Sequence, residues 1–335
     1  MHTLIFPTYL ILKDGTYRAT VNGRMFEQDQ LQLLRNAKHQ TTNWKVTLKY
    51  LFANLRYKQP DIGITFKSGT KSYVGMFNPA LQRYICEFSI PEVEFNKLCI
   101  IRNNLKLLPV FGSNSSEAYY LAEFPKKGMA VISDIDDTMI VTNASSLMKG
   151  LKSVTKAYEI VDQMDVLYTD LSKIGWSFHY LTSSPDVLFS TFYPFMQPDN
   201  KYNRFPFGTY HCISNHKAFM RSRSRFAHKV DHILNLVSSF PEKDFILIGD
   251  NGQHDIQIYS LILQIMGNEA KRIKAIYIRD VTTKQIKRLN AKELQNKSSE
   301  NVLASNMNLS SDKISFRYFC DGDHLRRLLK RKFDV

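Results

Sequence analysis

Two periodicities divide the chain. Up to about residue 125 apolar positions tend to alternate with polar ones, the signature of strands with one buried face. Tyr17 to Phe26 (YRATVNGRMF) alternates around Asn22-Gly23, a pair that favours a tight hairpin, so a turn is expected there. The run Leu4 to Leu12, interrupted by Pro7, reads as a strand. Ile62 to Phe66 and Lys71 to Phe77 flank Ser68-Gly69-Thr70 and predict a second hairpin. Arg83 to Ile90 follows the turn signal Asn78-Pro79 and stops at Pro91. Short strands punctuated in this way predict a β-rich, sandwich-like N-terminal domain over 1–125, with no catalytic constellation of its own.

Beyond residue 126 strand-like and helix-like stretches alternate. Leu151, Val154, Tyr158, Val161, Met164, Tyr168, Leu171 and Ile174 recur at three- and four-residue steps, predicting an amphipathic helix over 146–174 that ends at Gly175. Strands are expected at Trp176 to Leu181, Phe245 to Ile248 and Ile273 to Ile278, and helices over Arg221 to Phe240 and Asn251 to Met266. Strands joined through helices imply a parallel sheet. The region 126–335 therefore reads as an α/β domain, a Rossmann-like parallel sheet with flanking helices. Residues 290–312, rich in Asn, Ser and Lys, read as a mobile loop. From Asp323 a short helix carries Arg326, Arg327, Lys330, Arg331 and Lys332 beside Leu325, Leu328 and Leu329.

Composition adds little to the fold but narrows the partners. The 335 residues are 44% hydrophobic and 23% charged, ordinary for a globular protein, with a formal net charge of +14. That excess favours anionic partners: nucleic acid, an acidic membrane face or phosphorylated substrates. No run approaches the roughly 18 apolar residues of a membrane-spanning helix, so membrane contact is expected to be peripheral. Cys86, Cys99, Cys212 and Cys320 are scattered, which points to a reducing, cytoplasmic setting rather than a disulfide framework.

Chemistry concentrates in Gly128 to Thr142, GMAVISDIDDTMIVT. An apolar strand ends abruptly in Asp134, Asp136 and Asp137, followed by Thr138. Crowded carboxylates repel one another unless a cation or strong hydrogen bonds neutralise them. In open α/β sheets ligands bind beyond the carboxyl ends of the strands. The other predicted strands end in Thr182-Ser183, Asp250 and Arg279-Asp280, and Lys229 lies on the helix between. Carboxylates, a hydroxyl and an ammonium are what phosphoryl transfer requires. A hard divalent cation offsets the charge, one carboxylate attacks phosphorus and another moves the proton.

Other readings of these residues are poorer. An EF-hand would want Gly and Glu where Met139 and Ser145 stand. His228 with His232, and His211 with Cys212 and His216, lack a fourth zinc ligand and read as structural or surface groups. Arg221, Arg223 and Arg225 are basic without aromatic interleaving, so nucleic acid is not expected.

Asp134-Ile135-Asp136-Asp137-Thr138 resembles the first motif of the haloacid dehalogenase-like hydrolases. Thr182, Lys229 and Asp250 with Asp255 sit where the other three motifs fall. HYLTSSP (His179 to Pro185), FILIGDNGQHD (Phe245 to Asp255) and AIYIRDV (Ala275 to Val281) narrow the likeness. They resemble the phosphatidate phosphatase family of the yeast actin-patch type, distantly akin to lipins. The resemblance covers about 126–285; Val161 to Met164 and the stretch Pro198 to Arg225 depart from the family pattern. It implies a haloacid dehalogenase-like fold and a Mg²⁺-dependent phosphatase that turns phosphatidate into diacylglycerol through an aspartyl-phosphate. Asp134 would be nucleophile and metal ligand, and Asp136 the acid/base that also binds metal through its carbonyl. Thr182 and Ser183 would bind phosphate, Lys229 would steady the phosphoryl group, and Asp250 would complete the metal shell. Asp255 and Thr138 would be accessory. Two alternatives are a phosphatase of a soluble phosphomonoester and a non-catalytic phosphatidate-binding module.

Overall fold

A computed structural model describes residues 2–26, 64–112, 117–142, 159–198, 200, 203–213, 222–252, 254–281 and 314–335. The expected loop 290–312, most of the first half of the expected helix 146–174, and Ser145, His216 and Gln253 lie outside these residues. The chain divides into two compact units.

The first unit takes in the residues up to Pro125 together with those of Ser183–Ser222. Its strands are β1 (His2–Phe6), β2 (Thr8–Lys13), β3 (Thr16–Phe26), β4 (Ile64–Ser68), β5 (Lys71–Asn78), β6 (Arg83–Pro91), β7 (Ile100–Arg102), β8 (Leu105–Gly112) and β9 (Ala118–Glu123). Hydrogen-bonded neighbours run β3-β2-β9-β8-β4-β5-β6, and β6 pairs again with β3. The sheet therefore closes on itself as a barrel instead of forming the expected sandwich. Closure removes the open edges that a flat sheet would expose. Tyr17, Phe66, Tyr84, Phe88 and Phe95 fill the interior. Pro7 separates β1 from β2, and a short helix, α1 (Glu92–Leu98), follows Pro91.

No turn forms at Asn22-Gly23. Both residues sit inside β3, paired with β1 on one side and β6 on the other. Glycine is needed there for another reason. A Cβ on Gly23 would stand 3.0 Å from the Phe66 ring and 3.1 Å from the Leu4 carbonyl. In the 183–222 part of this unit, Phe189, Phe192, Tyr193 and Tyr210 are buried, with Phe189 packed against Phe6 and Tyr119. Asp186 is wholly buried and pairs with Arg24 at 2.5 Å and Arg83 at 3.3 Å. A strand, β12 (Thr209–Ile213), also lies in this part.

The second unit is the parallel α/β assembly that the sequence predicts. Its sheet runs β11 (Ser177–Pro185), β10 (Gly128–Asp134), β13 (Lys243–Asp250), β14 (Ile273–Arg279), β15 (Ser315–Phe319), every pair parallel. Ala130 to Ile132, Phe245 to Ile248 and Ala275 to Ile278 are almost fully buried, as strands covered on both faces must be. The flanking helices are α2 (Met164–Lys173), α3 (Ser222–Ser239), α4 (Asp255–Met266) and α5 (Gly322–Phe333).

Two helices start later than their periodicity predicts. Ile160 and Val161 are not helical: Ile160 bridges to Ile140, and Val161 N–H donates to the Met139 carbonyl at 2.9 Å. This backbone pairing with the loop after β10 keeps them out of the helix, and α2 begins only at Met164. Asn251 and Gly252 are not helical, and α4 begins only at Asp255. The strand β15 escaped the sequence reading; α5 follows it, and Asp321 caps that helix by accepting from His324 N–H at 2.8 Å.

Candidate active site

Chain order makes the site's position inevitable. From β10 the chain goes to β11 on one side and later to β13 on the other, so the crossover connections diverge and leave a crevice at the carboxyl ends of β10 and β13. Asp134 is the last residue of β10 and Asp250 the last of β13.

Each oxygen of Asp134 is engaged. Lys229 Nζ donates to Oδ1 at 2.7 Å and Thr138 Oγ1 to Oδ2 at 3.2 Å. Lys229 comes from the middle of α3 and also meets Asp255 Oδ1 at 2.5 Å, its side chain only 2% exposed. Asp255 opens α4, and its other oxygen accepts from the Asp250 N–H at 3.2 Å. Asp250 Oδ1 accepts from the Gly252 N–H at 2.6 Å. Helix and strand approach so closely that a Cβ on Gly249 would stand 2.4 Å from Asp255 Oδ2 and 2.7 Å from the Tyr259 hydroxyl.

Asp136 goes elsewhere. It is half-buried in the loop after β10, and Thr182 Oγ1 donates to its Oδ2 at 2.6 Å. Ser183 follows Thr182 along β11, half-buried. Thus Asp134, Thr138, Lys229, Asp250 and Asp255 form one hydrogen-bonded group, and Asp136 and Thr182 form a pair beside it.

Electrostatics follow from burial. Desolvation pushes the Asp134 carboxyl well above the usual carboxylate range; Lys229 pulls it down, and Asp255, Asp250 and Asp136 push it up again. Asp250 is pushed up to about 7 by burial and by Asp255, against the pull of Lys229 and the Gly252 amide. Burial opposes the Lys229 charge, but Asp134 and Asp255 outweigh it and hold the ammonium protonated. One oxygen from each of Asp134, Asp250 and Asp255 lies within 4.8 Å of the others. With all three ionised, one ammonium leaves two negative charges unbalanced in a buried space. An all-oxygen donor set with that deficit fits a hard divalent cation. Among the described residues this is the one such acidic cluster.

Asp137, the third of the crowded carboxylates, organises the loop. Its backbone is left-handed, with φ of 61°. Its N–H donates to the Ile140 carbonyl at 2.8 Å, and its Oδ1 accepts from the Thr142 N–H at 2.8 Å. Its carbonyl accepts from Arg279 Nη1 at 2.6 Å. Asn251 braces the neighbouring strand ends, donating to Asp280 Oδ1 at 2.9 Å and accepting from the Val281 N–H at 2.8 Å. No sequence periodicity reports such side-chain-to-backbone contacts between strand ends. Their one visible trace is the polar pair at the end of β14.

Among the described residues neither candidate zinc set gathers further ligands, and His216 of the second set lies outside them. The rings of His228 and His232 pack edge to face 4.5 Å apart, His211 pairs with Thr209, and the Cys212 thiol lies 3.1 Å from the Arg83 guanidinium. His254 is exposed at the start of α4, its ring 6.4 Å from that of Phe226. No described helix is long and apolar enough to cross a membrane.

Residues 129–280 match the family model described as the catalytic domain of phosphatidate phosphatase APP1. The protein named phosphatidate phosphatase APP1 of Saccharomyces cerevisiae is 27% identical over 174 residues, which is 50% of this chain and 28% of its own length. An uncharacterized protein of Schizosaccharomyces pombe is 25% identical over 174 residues, 48% of this chain and 27% of its own. The chain thus spans under a third of the length of these relatives. A solved carbohydrate esterase chain aligns over 82% of this chain and 88% of its own at 11% identity, with a TM-score of 0.24, too low to bear on the fold. The family likeness read from the sequence phrases is therefore shown over the segment that carries the site.

Proposed function

We propose that this chain, whose residues 129–280 are of the phosphatidate phosphatase APP1 catalytic type, is a phosphatase that hydrolyses phosphatidate to diacylglycerol and phosphate. The observation that carries the reading is the Asp134 carboxylate at the end of β10, held on both oxygens by Lys229 and Thr138 within the family segment. Residues 126–335 are read as a haloacid dehalogenase-like catalytic domain, following a β-rich domain over 1–125.

Asp134 attacks phosphorus and becomes the aspartyl-phosphate; Lys229 and Thr138 orient its carboxylate for that approach. Asp136 protonates the departing alkoxide and then takes a proton from the water that releases phosphate. The hydrogen bond from Thr182 fixes Asp136 for that work in the resting enzyme, and with substrate bound the Thr182 and Ser183 hydroxyls turn to the phosphate oxygens. Lys229 balances the charge that develops there. Asp134 and Asp250, with the Asp136 carbonyl and Asp255 nearby, would hold Mg²⁺, which when bound neutralises the acidic cluster and draws charge from the phosphate oxygens. Asp255 keeps Lys229 in place. The net charge of +14 suits an enzyme working peripherally at an anionic membrane face from the cytoplasm.

Phosphate release from phosphatidate vesicles, with and without Mg²⁺, tests the proposal. Cation-dependent release that Asp134→Asn abolishes is expected. Turnover of water-soluble phosphomonoesters with none on vesicles would move the substrate class. Vesicle binding without hydrolysis under any divalent cation would leave only a lipid-binding module.

A further inference from the structure

We infer that Arg279 is a positioning residue of the reaction, gripping the Asp137 carbonyl so that the loop carrying Asp136 stays set beside Asp134. The inference rests on the proposed phosphatase chemistry and adds to it a residue outside the nucleophile, acid/base, phosphate and metal roles.

Three observations carry it. First, the loop is short and its backbone is committed. The N–H groups of Thr138, Met139 and Ile140 all turn back to the Ile135 carbonyl, and the Asp137 N–H turns to Ile140. The Asp137 carbonyl faces away from these bonds, and Arg279 takes it at 2.6 Å. Second, Arg279 is anchored at both ends. It is the last residue of β14, paired in register with Asp250 on β13, and its Nε donates to the Cys320 carbonyl at 3.1 Å. The guanidinium is thus a rigid strut between the β15–α5 junction and the acidic loop. Third, Asp137 holds a left-handed backbone, which is unfavourable for a non-glycine residue and persists only where surrounding contacts over-determine it. The Arg279 bond is one of those contacts, and Asp136 is the adjoining residue.

A guanidinium suits the task because it stays charged and offers donors in a fixed plane, so one side chain meets two carbonyls at once. A lysine ammonium would reach one of them. If the strut fails, Asp136 keeps its Thr182 partner but loses its setting relative to the phosphoryl group. The proton it delivers to the leaving oxygen then arrives poorly aligned. That defect should depend on the leaving group: a lipid alkoxide needs the proton, and a nitrophenolate hardly does.

The experiment compares the wild-type chain of 335 residues, Arg279→Met and Arg279→Lys on dispersed phosphatidate and on p-nitrophenyl phosphate, with Mg²⁺ present. For Arg279→Met, kcat/KM on phosphatidate is expected to fall ~100-fold, within the span of general acid catalysis, and on p-nitrophenyl phosphate by under about 5-fold. Arg279→Lys should recover part of the phosphatidate rate. Equal losses on both substrates, or no loss on either, would overturn the inference while leaving the phosphatase reading intact. A wild type inactive on both substrates would overturn that reading first and the inference with it. If Arg279→Met does not fold by near-ultraviolet dichroism, the ratio of the two losses in Arg279→Lys decides by the same criterion.

Discussion

Replacing Asp250 by Asn should abolish activity and, without added cation, stabilise the protein. Asp250 is fully buried at the end of β13 with its carboxyl pushed up to about 7 from an ordinary 3.8. A group whose folded pKa is raised contributes stability that is fully present below the unfolded value, fades as the pH climbs, and is gone above the folded value. The window here runs from about pH 4 to about pH 7. At 1.36 kcal/mol per pH unit the whole shift corresponds to about 4 kcal/mol, an upper figure because Asp250 sits among interacting charges, with Asp255 raising its carboxyl and Lys229 lowering it. Asparagine has the same shape, carries no charge at any pH, and still accepts the Gly252 N–H. Urea unfolding of wild type and Asp250→Asn from pH 5 to 9, in chelator, should show the variant gaining on the wild type as pH rises, by 2 to about 4 kcal/mol at pH 8. If Asp250 holds Mg²⁺ as proposed, saturating Mg²⁺ should reverse the order, because a ligand bound to the folded state alone stabilises by mass action and the variant would lack one ligand oxygen. Parallel pH profiles for the two proteins in chelator would refute the assignment of Asp250 as a buried acid whose carboxyl burial and Asp255 hold above its ordinary range.

Lys229→Met removes the one ammonium between Asp134 and Asp255 and should cost about 3–5 kcal/mol at neutral pH, the range for breaking one side of a buried pair; urea midpoints check it. Gly249→Ala forces a methyl against Asp255 Oδ2 and the Tyr259 hydroxyl, so α4 must shift. A loss of roughly 1–3 kcal/mol is expected together with weaker Mg²⁺ binding by calorimetry. Lys243, buried at the opposite end of β13 on the Ser177 hydroxyl, is depressed by burial to about 8 from 10.5. A depressed base costs stability wherever it stays charged, so Lys243→Met should be more stable than wild type at pH 7 by up to about 3 kcal/mol. That advantage should shrink as the pH approaches 10.5 in thermal melts; an advantage that does not change with pH would sink the explanation.

Much of the site was legible because each part lies at an abrupt change of pattern. The apolar run Met129 to Ile132 breaks into carboxylates, Phe245 to Ile248 breaks into Gly249-Asp250, and Lys229 interrupts a helix whose neighbour Val230 is buried. The parallel sheet was legible for the same reason: strands buried on both faces leave continuous apolar runs. Asn22-Gly23 misled because glycine serves both turns and close approaches, and the sequence around it cannot show that Phe66 lies across the backbone. The closed barrel was hidden because closure depends on the pairing of β3 with β6, set by distant partners such as Val21 and Cys86. Asp137 and Arg279 escaped for a related reason. They meet through a carbonyl, 142 residues apart in sequence, and a carbonyl has no sequence signature.

The buried acidic cluster has a kinetic corollary. Lys229 stands 95 residues from Asp134 and 26 from Asp255, so these groups meet only after long-range parallel pairing, the slow part of assembling such a sheet. In partly folded chains the carboxylates stay apart in water, where their mutual repulsion is slight and their grip on a cation is weak. A divalent cation should therefore leave the refolding rate nearly unchanged and slow unfolding in proportion to its binding, because it stabilises contacts that the transition state lacks. Cellular swings in free Mg²⁺ would then set the lifetime of the folded enzyme rather than the speed at which it is made.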